Sequence, residues 1–261
     1  MKTKTIALLS DFGLNDPFVG IMKGVMLSSA PGISIIDITH NVPPQDIQTA
    51  SFYLMMSFEY FPKSTLFIAV VDPMVGTGRG IIWAKTENYQ FICPDNGIIS
   101  WVEEKEKITE ARFIKNVGLF LPKVSSTFHG RDIMAPVAAA LAKGLSEKKL
   151  GPVFASYRKN QFPHPARIGN RVLGQIIAVD RFGNATANIT KQHINAKSIF
   201  IVSDKIIKGL KLTYASVQEG EPLALIGSFG FLEFSVRNGN FAKTFNVKTG
   251  QEIEVMVSLD E

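Results

Sequence analysis

Apolar and polar residues alternate in blocks along the first half of this chain. Residues 5–10 are a short apolar run that reads as a strand. Residues 17–29 then place Phe18, Ile21, Met22, Val25 and Met26 at helical spacing, with Pro17 in the first turn, and Pro31-Gly32 ends the run. Residues 34–38 read as a second strand. Residues 46–58 read as a second helix, with Ile47, Ala50, Ser51, Leu54 and Phe58 on one face, and residues 66–71 as a third strand. This βαβαβ order predicts a parallel, doubly wound sheet with right-handed crossovers. Strands are also predicted over residues 81–85 and 89–93. A strong alanine-rich helix is predicted over 132–143, stopped by Gly144.

The pattern changes after residue 150. Pro152, Pro163, Pro165 and Gly169 break any periodicity, so an N-terminal α/β domain is expected over 1–152 and a linker over 153–170. Beyond it, short β-type runs at 171–179, 184–189, 198–202, 222–226, 231–236 and 251–257 are separated by Gly, Asn and Asp turns. They predict a small antiparallel barrel or sandwich over 171–261.

Composition narrows the function classes. With 46% hydrophobic and 20% charged residues the chain has the make-up of a soluble globular protein. The net charge is only +5 and the lysines are scattered, so the basicity reads as solvation rather than a nucleic-acid footprint. The single cysteine, Cys93, excludes an intramolecular disulfide and sits in an apolar run, as a small buried hydrophobe would. There is no CxxC or HExxH, and His40, His129, His164 and His193 are far apart, so no metal site is expected. The first residues contain an apolar run too short for a signal peptide, and none approaches membrane-spanning length. The expectation is a reduced, cytoplasmic protein with neither a membrane nor a nucleic-acid partner.

Candidate chemistry gathers where strands end. Asp72 closes the run 66–71 and Arg79 stands where the chain turns back, so a carboxylate and a guanidinium sit at a strand's carboxyl end, where α/β sheets collect ligands. Between them Gly76-Thr77-Gly78 lacks the spacing of a phosphate loop and reads as a hairpin turn that lets backbone approach a ligand. Asp11, directly after the first strand, could accept hydrogen bonds from a ribose diol or equally serve as a turn or N-cap aspartate. His129 precedes the alanine-rich helix, whose dipole favours a neutral imidazole able to act as acceptor or base; the alternative is a capping loop in which Asp132 caps and His129 packs. Asp180, Phe182 and Asn184 suit stacking on a ring and bonding to its edge, or else form a plain turn at Gly183. The sequence around Ser228 has the wrong spacing for a hydrolase nucleophile elbow.

Seven motifs occur in order over nearly the whole chain: SDFG from Ser10, DITHNVPPQDI from Asp37, VVDPMVGTGR from Val70, PDNG from Pro94, TFHGRDIMAPVAA from Thr127, VDRFGN from Val179 and GSFGFLE from Gly227. The series resembles the S-adenosyl-L-methionine hydroxide adenosyltransferase family, relatives of the bacterial fluorinase and chlorinase. The resemblance implies an N-terminal Rossmann-like α/β domain and a C-terminal β-barrel. It also implies a homotrimer with ligands at subunit interfaces, and hydrolysis of S-adenosylmethionine to adenosine and L-methionine without a cofactor. It assigns the water-holding set to Asp72, Arg79 and His129. It places Asp11 on the ribose, Asn184 and Phe182 on adenine, and Ser228, Glu233 and the Val236 backbone at the methionine or adenine end. Asp180 is placed on the methionine ammonium. The halogenases carry tyrosine at the position of Asp72 and a halide-binding serine at that of Gly130, which argues for hydroxide over halide here. Met74 departs from the family's DPGVG turn; a positive φ there would strain methionine by ~1–3 kcal/mol and favour a non-catalytic binding protein as the alternative.

Overall fold

A computed structural model describes residues 3–154 and 156–258; positions 1, 2, 155 and 259–261, which include the outer limits of the expected domains, lie outside the described residues. Contacts divide the chain into two units, Met1–Phe162 and Pro163–Glu261.

The first unit runs β1 (Thr5–Ser10), α1 (Phe18–Ser29), β2 (Ser34–Thr39), α2 (Ile47–Ser57), β3 (Leu66–Val70), β4 (Ile81–Lys85), β5 (Gln90–Pro94), β6 (Glu110–Phe113) and α3 (Ala135–Ala142). Its six strands lie in the order β2-β1-β3-β5-β4-β6. The βαβαβ start is parallel as expected, and β5 continues it beside β3. The far side of the sheet is antiparallel: β4 pairs with both β5 and β6 in that sense. Because β5 lies between β3 and β4, the segment 71–80 is a crossover, not the expected hairpin.

Two-residue alternation along β1 and β3 supplies both faces of this sheet. Ile6, Leu8, Ile68 and Val70 join Met22 and Met26 of α1 and Val137 of α3 in one core. Ala7, Leu9, Phe67 and Ala69 join Ala50 and Leu54 of α2 in the other. The helix α1 turns Val19, Met22 and Met26 inward, whereas Phe18 and Ile21, expected on the apolar face, stay partly exposed. Asp46 caps α2 by accepting from Thr49 N–H at 2.9 Å, which contributes about 1 kcal/mol. Within the expected linker, Phe154 and Tyr157 pack into the second core, and Arg158 N–H donates to Asp95 Oδ1 at 2.7 Å.

The second unit contains β7 (Ala166–Ile168), β8 (Arg171–Val179), β9 (Ala185–Thr190), β10 (Ile199–Val202), β11 (Lys205–Lys208), β12 (Leu210–Lys211), β13 (Pro222–Ile226), β14 (Phe231–Val236), the single-turn α4 (Phe241–Thr244) and β15 (Glu252–Met256). Eight strands follow the order β11-β10-β15-β8-β9-β14-β13-β12, with β7 on β8, and β11 comes round against β13. The curled sheet encloses Val172, Ile176, Ile189, Phe200, Leu232, Phe234 and Val255, so the barrel expectation holds. Among the described residues no helix is long and apolar enough to cross a membrane.

Candidate active site

The carboxyl ends of β1 and β3 open into a cleft of about 420 Å³ whose walls include Asp11, Phe12, Phe18, Gln45, Asp72, Phe128 and His129. Asp72 follows Val71, whose carbonyl accepts from Asn96 Nδ2 at 2.8 Å, so the PDNG motif serves to hold the end of β3. From Asp72 the chain descends in tight turns: Val75 N–H donates to Asp72 O and Thr77 N–H to Met74 O. The positive φ in this segment belongs to Gly76 (77°), not to Met74, so the expected strain at Met74 does not arise. A Cβ on Gly76 would collide with the carbonyl oxygen of Ser126, so only glycine lets the backbone pack this closely on the histidine loop.

These turns bring Arg79 back beneath Asp72. Arg79 Nη2 pairs with Asp72 Oδ2 and lies 3.1 Å from His129 Nδ1. The Asp72 and Arg79 side chains are each only 5% exposed, and Asp72 Oδ1 and Arg79 Nε are buried without a hydrogen-bond partner among the described residues. An ion pair this dry keeps its Coulombic strength and leaves one carboxylate oxygen for a ligand. Burial lowers the pKa of His129, and the charge of Arg79 lowers it further, against weaker opposing effects of Asp72, Asp132 and the Ser125 backbone. The ring is therefore neutral near pH 7, as the sequence suggested. A guanidinium has no acceptor, so Nδ1 receives the hydrogen bond and the ring proton resides on Nε2.

His129 is placed by an unusual helix start. Residues Gly130–Met134 form a π-helical turn before α3. Asp132, with a side chain 0% exposed, lies inside that turn and is not the cap. Its carboxylate accepts from Ser125 N–H at 2.8 Å and from Arg131 Nε at 2.6 Å, which fixes the loop leading to His129.

Asp11 lines the same cleft. Its Oδ2 accepts from Gln45 N–H at 2.8 Å, and Gln45 holds a left-handed backbone (φ 65°) to reach it. Phe12, Phe18 and Phe128 form a mutual aromatic cluster with centroids 5.3–5.7 Å apart. Sequence reasoning did not single out Gln45 or these rings; the signal for the rings was an aromatic beside the polar residue in SDFG and TFHG. Cys93 is buried, and burial raises its thiol pKa, so it behaves as the expected hydrophobe.

The remaining candidates belong to the second unit. Asp180 accepts from Phe182 N–H, Asn184 N–H and Asn184 Nδ2 at 2.8–2.9 Å, so it organises the turn that presents Asn184. Phe182 is 73% exposed at the tip of that turn. Glu233, across the ladder from Thr186, accepts from Tyr214 OH at 2.7 Å and Ser235 Oγ at 3.0 Å. Ser228 is exposed in the turn before β14, and the carbonyl of Val236, at its end, accepts from Gly239 N–H.

Comparison with known proteins converges on one family. Residues 6–151 match the SAM hydroxide adenosyltransferase N-terminal domain and residues 174–254 its C-terminal domain. A protein of Thermus thermophilus named (R)-S-adenosyl-L-methionine hydrolase is 32% identical, covering 97% of this chain and 100% of its own. A fluorinase of Actinoplanes sp. is more distant, at 27% identity over 96% of each chain. The crystal structure of an uncharacterized conserved protein from Thermotoga maritima superposes with a TM-score of 0.90 at 38% identity, covering 96% of this chain and 99% of that one. Two domain matches that together span most of the sequence, on a fold with the same architecture, show that this chain belongs to the SAM hydroxide adenosyltransferase family.

Proposed function

We propose that the protein hydrolyses S-adenosyl-L-methionine to adenosine and L-methionine. The observation that carries this reading is the buried Asp72–Arg79–His129 assembly at the end of β3, in which Asp72 lines the cleft and keeps one carboxylate oxygen without a hydrogen-bond partner among the described residues. The hydrolase name of a full-length relative supports it. So does the absence of positive φ at Met74, which removes the ground for a spoiled, merely binding site.

The sulfonium is already a good leaving group, so the water is the partner that needs help. A water hydrogen-bonded to Asp72 Oδ1 attacks the ribose C5′ in line with the sulfur. The C5′–O bond forms as the C5′–S bond breaks, the electron pair stays on sulfur as the thioether of methionine, and the water's proton passes to Asp72. Arg79 cannot take a proton and instead stabilises the hydroxide character of the water. His129, with Nδ1 occupied by Arg79, offers Nε2–H as a donor. Holding nucleophile and carbon in line in a dry pocket supplies ~7–11 kcal/mol of barrier reduction.

Asp11 binds the ribose hydroxyls with the oxygen Gln45 leaves free. Asn184 reads the adenine edge beside Phe182. Ser228, Glu233 and the Val236 backbone contact the methionine or adenine end, and Asp180 supports Asn184 within reach of the ammonium. The exposed Phe182 and Phe229 of the second unit are consistent with a homotrimer whose sites lie between subunits. A cytoplasmic location is part of this reading. The chemistry as written calls for no cofactor.

The test is incubation of purified protein with S-adenosylmethionine, with EDTA and without halide, followed by chromatography. Adenosine and methionine in equal amounts, lost in Arg79→Ala, are expected. No product, or a product that requires halide, would overturn the reading.

A further inference from the structure

Ser10, at the end of β1, is buried, and its Oγ lies 2.7 Å from Nδ1 of the equally buried His40, just past β2. The other ring nitrogen, Nε2, lies 3.1 Å from Asp37 Oδ1, an electrostatic contact without the alignment of a hydrogen bond, and Asp37 Oδ2 accepts from Lys23 Nζ at 2.6 Å. A ring nitrogen facing a carboxylate carries the proton, so Nδ1 is the acceptor and Ser10 the donor. Ser10 Oγ in turn accepts from Phe12 N–H at 3.3 Å. The backbone of His40 adds a second anchor, its carbonyl accepting from Gly13 N–H at 2.7 Å. The same histidine therefore holds both ends of the Ser10–Gly13 turn. Between those ends lie Asp11 and Phe12, both in the wall of the cleft.

The arrangement is not a nucleophilic triad. Ser10 is 1% exposed and its hydroxyl is directed at His40, away from any substrate. Its output is the position of Asp11. That turn also meets the strained Gln45, whose N–H fixes the other carboxylate oxygen. A left-handed residue on one side and a buried polar chain on the other restrain Asp11 from both directions.

We infer that His40 is a positioning residue for substrate, acting through Ser10 and the Asp11–Phe12 turn on ribose binding. This rests on the functional reading above. It predicts a larger loss in binding than in the chemical step: Phe12 touches Phe128 beside His129, but the polar contacts that hold Asp72, Arg79 and the His129 loop come from other residues.

The experiment compares wild type with Ser10→Ala, His40→Leu and His40→Asn. The readouts are KM and kcat for S-adenosylmethionine, and the adenosine Kd by calorimetry. In His40→Asn the amide oxygen can still accept from Ser10. Expected are an approximately tenfold rise in KM and in adenosine Kd for His40→Leu and Ser10→Ala, and kcat within about threefold. His40→Asn should recover most of the affinity, and the Ser10→Ala/His40→Leu double variant should be no worse than either alone. Ser10→Ala keeps the test decisive should His40→Leu fail to fold. Unchanged KM and Kd in a folded variant, or a fall confined to kcat, would overturn the inference. A wild type that binds adenosine without turnover would sink the hydrolase reading alone, and the Kd series would still decide the role of His40. A wild type that binds neither ligand would overturn both.

Discussion

Arg79 Nη2 stands 3.1 Å from His129 Nδ1 while the same nitrogen pairs with Asp72, so one donor group sets both the charge partner of the acid and the tautomer of the imidazole. Arg79→Ala should release His129 on both counts. Its pKa, held down by burial and by the guanidinium, should rise toward or past the ordinary 6.5, with Asp72 now unopposed. Nitrogen-15 spectra of the ring across the pH range read this directly. A wild-type ring protonated on Nδ1 at neutral pH, or a pKa unmoved by the substitution, would contradict the geometry.

Asp72→Asn keeps the shape of the side chain but removes the proton acceptor and leaves Arg79 unpaired. Turnover should fall by about 10²–10⁴-fold, the range for a lost general base. The Kd for S-adenosylmethionine should change far less, because Asp72 touches the water rather than the nucleoside. Single-turnover rates alongside calorimetry separate the two, and a variant with wild-type kcat would remove Asp72 from the mechanism.

Met74 and Gly76 should respond in opposite ways. Met74 is 44% exposed without positive φ, so Met74→Gly is expected to leave kcat within about twofold and to cost stability ~0.5–1 kcal/mol through added freedom of the unfolded chain. Gly76→Ala must take a left-handed backbone and displace Ser126, so a loss of about 2 kcal/mol or more is expected, with reduced activity as the His129 loop moves. Urea midpoints and turnover for both variants provide the comparison. Equal effects would mean that the turn is not built as described.

Asp132 ties acid stability to the active-site loop. Burial raises its pKa, but Arg131 and the Ser125 hydrogen bonds outweigh this and hold it below 3.8. A carboxyl group lowered on folding stabilises the protein above its unfolded value and loses that contribution as pH falls through the folded value. Asp132→Asn should therefore lower stability at neutral pH by about 1.5–3 kcal/mol, the worth of charge-assisted hydrogen bonds, and flatten the decline below pH ~4. Urea denaturation at a series of acid pH values tests it; a parallel decline in both proteins would not support the assignment.

The elements legible in the sequence were those whose burial is written in one uninterrupted run. β1, β13 and β14 match their apolar stretches residue for residue, because both faces or one full face of each strand is covered. β6, with sequence EARF, and β11, with sequence KIIK, were missed because two charged residues in a four-residue edge strand cancel the apolar signal. Strand direction was beyond reach: nothing in Gly76–Gly80 says whether the next strand joins β3 or skips it. Asp72 and Arg79 stood out as a carboxylate and a guanidinium at a strand's carboxyl end, whereas His129, whose segment reads as well as a capping loop, joined them only through the ordered motifs of the family. Gln45 could not, since its part depends on a backbone conformation that a glutamine ordinarily avoids.

The wide turn at Gly130–Met134 carries one more residue than an α-helical turn needs. Removing a single residue there would regularise the entry to α3 and improve its hydrogen bonding. It would also rotate everything upstream by about 100° around the helix axis and draw it along by ~1.5 Å. His129 would then face away from Arg79. The irregular turn thus sets an angle, and the most regular version of this protein would be its inactive one.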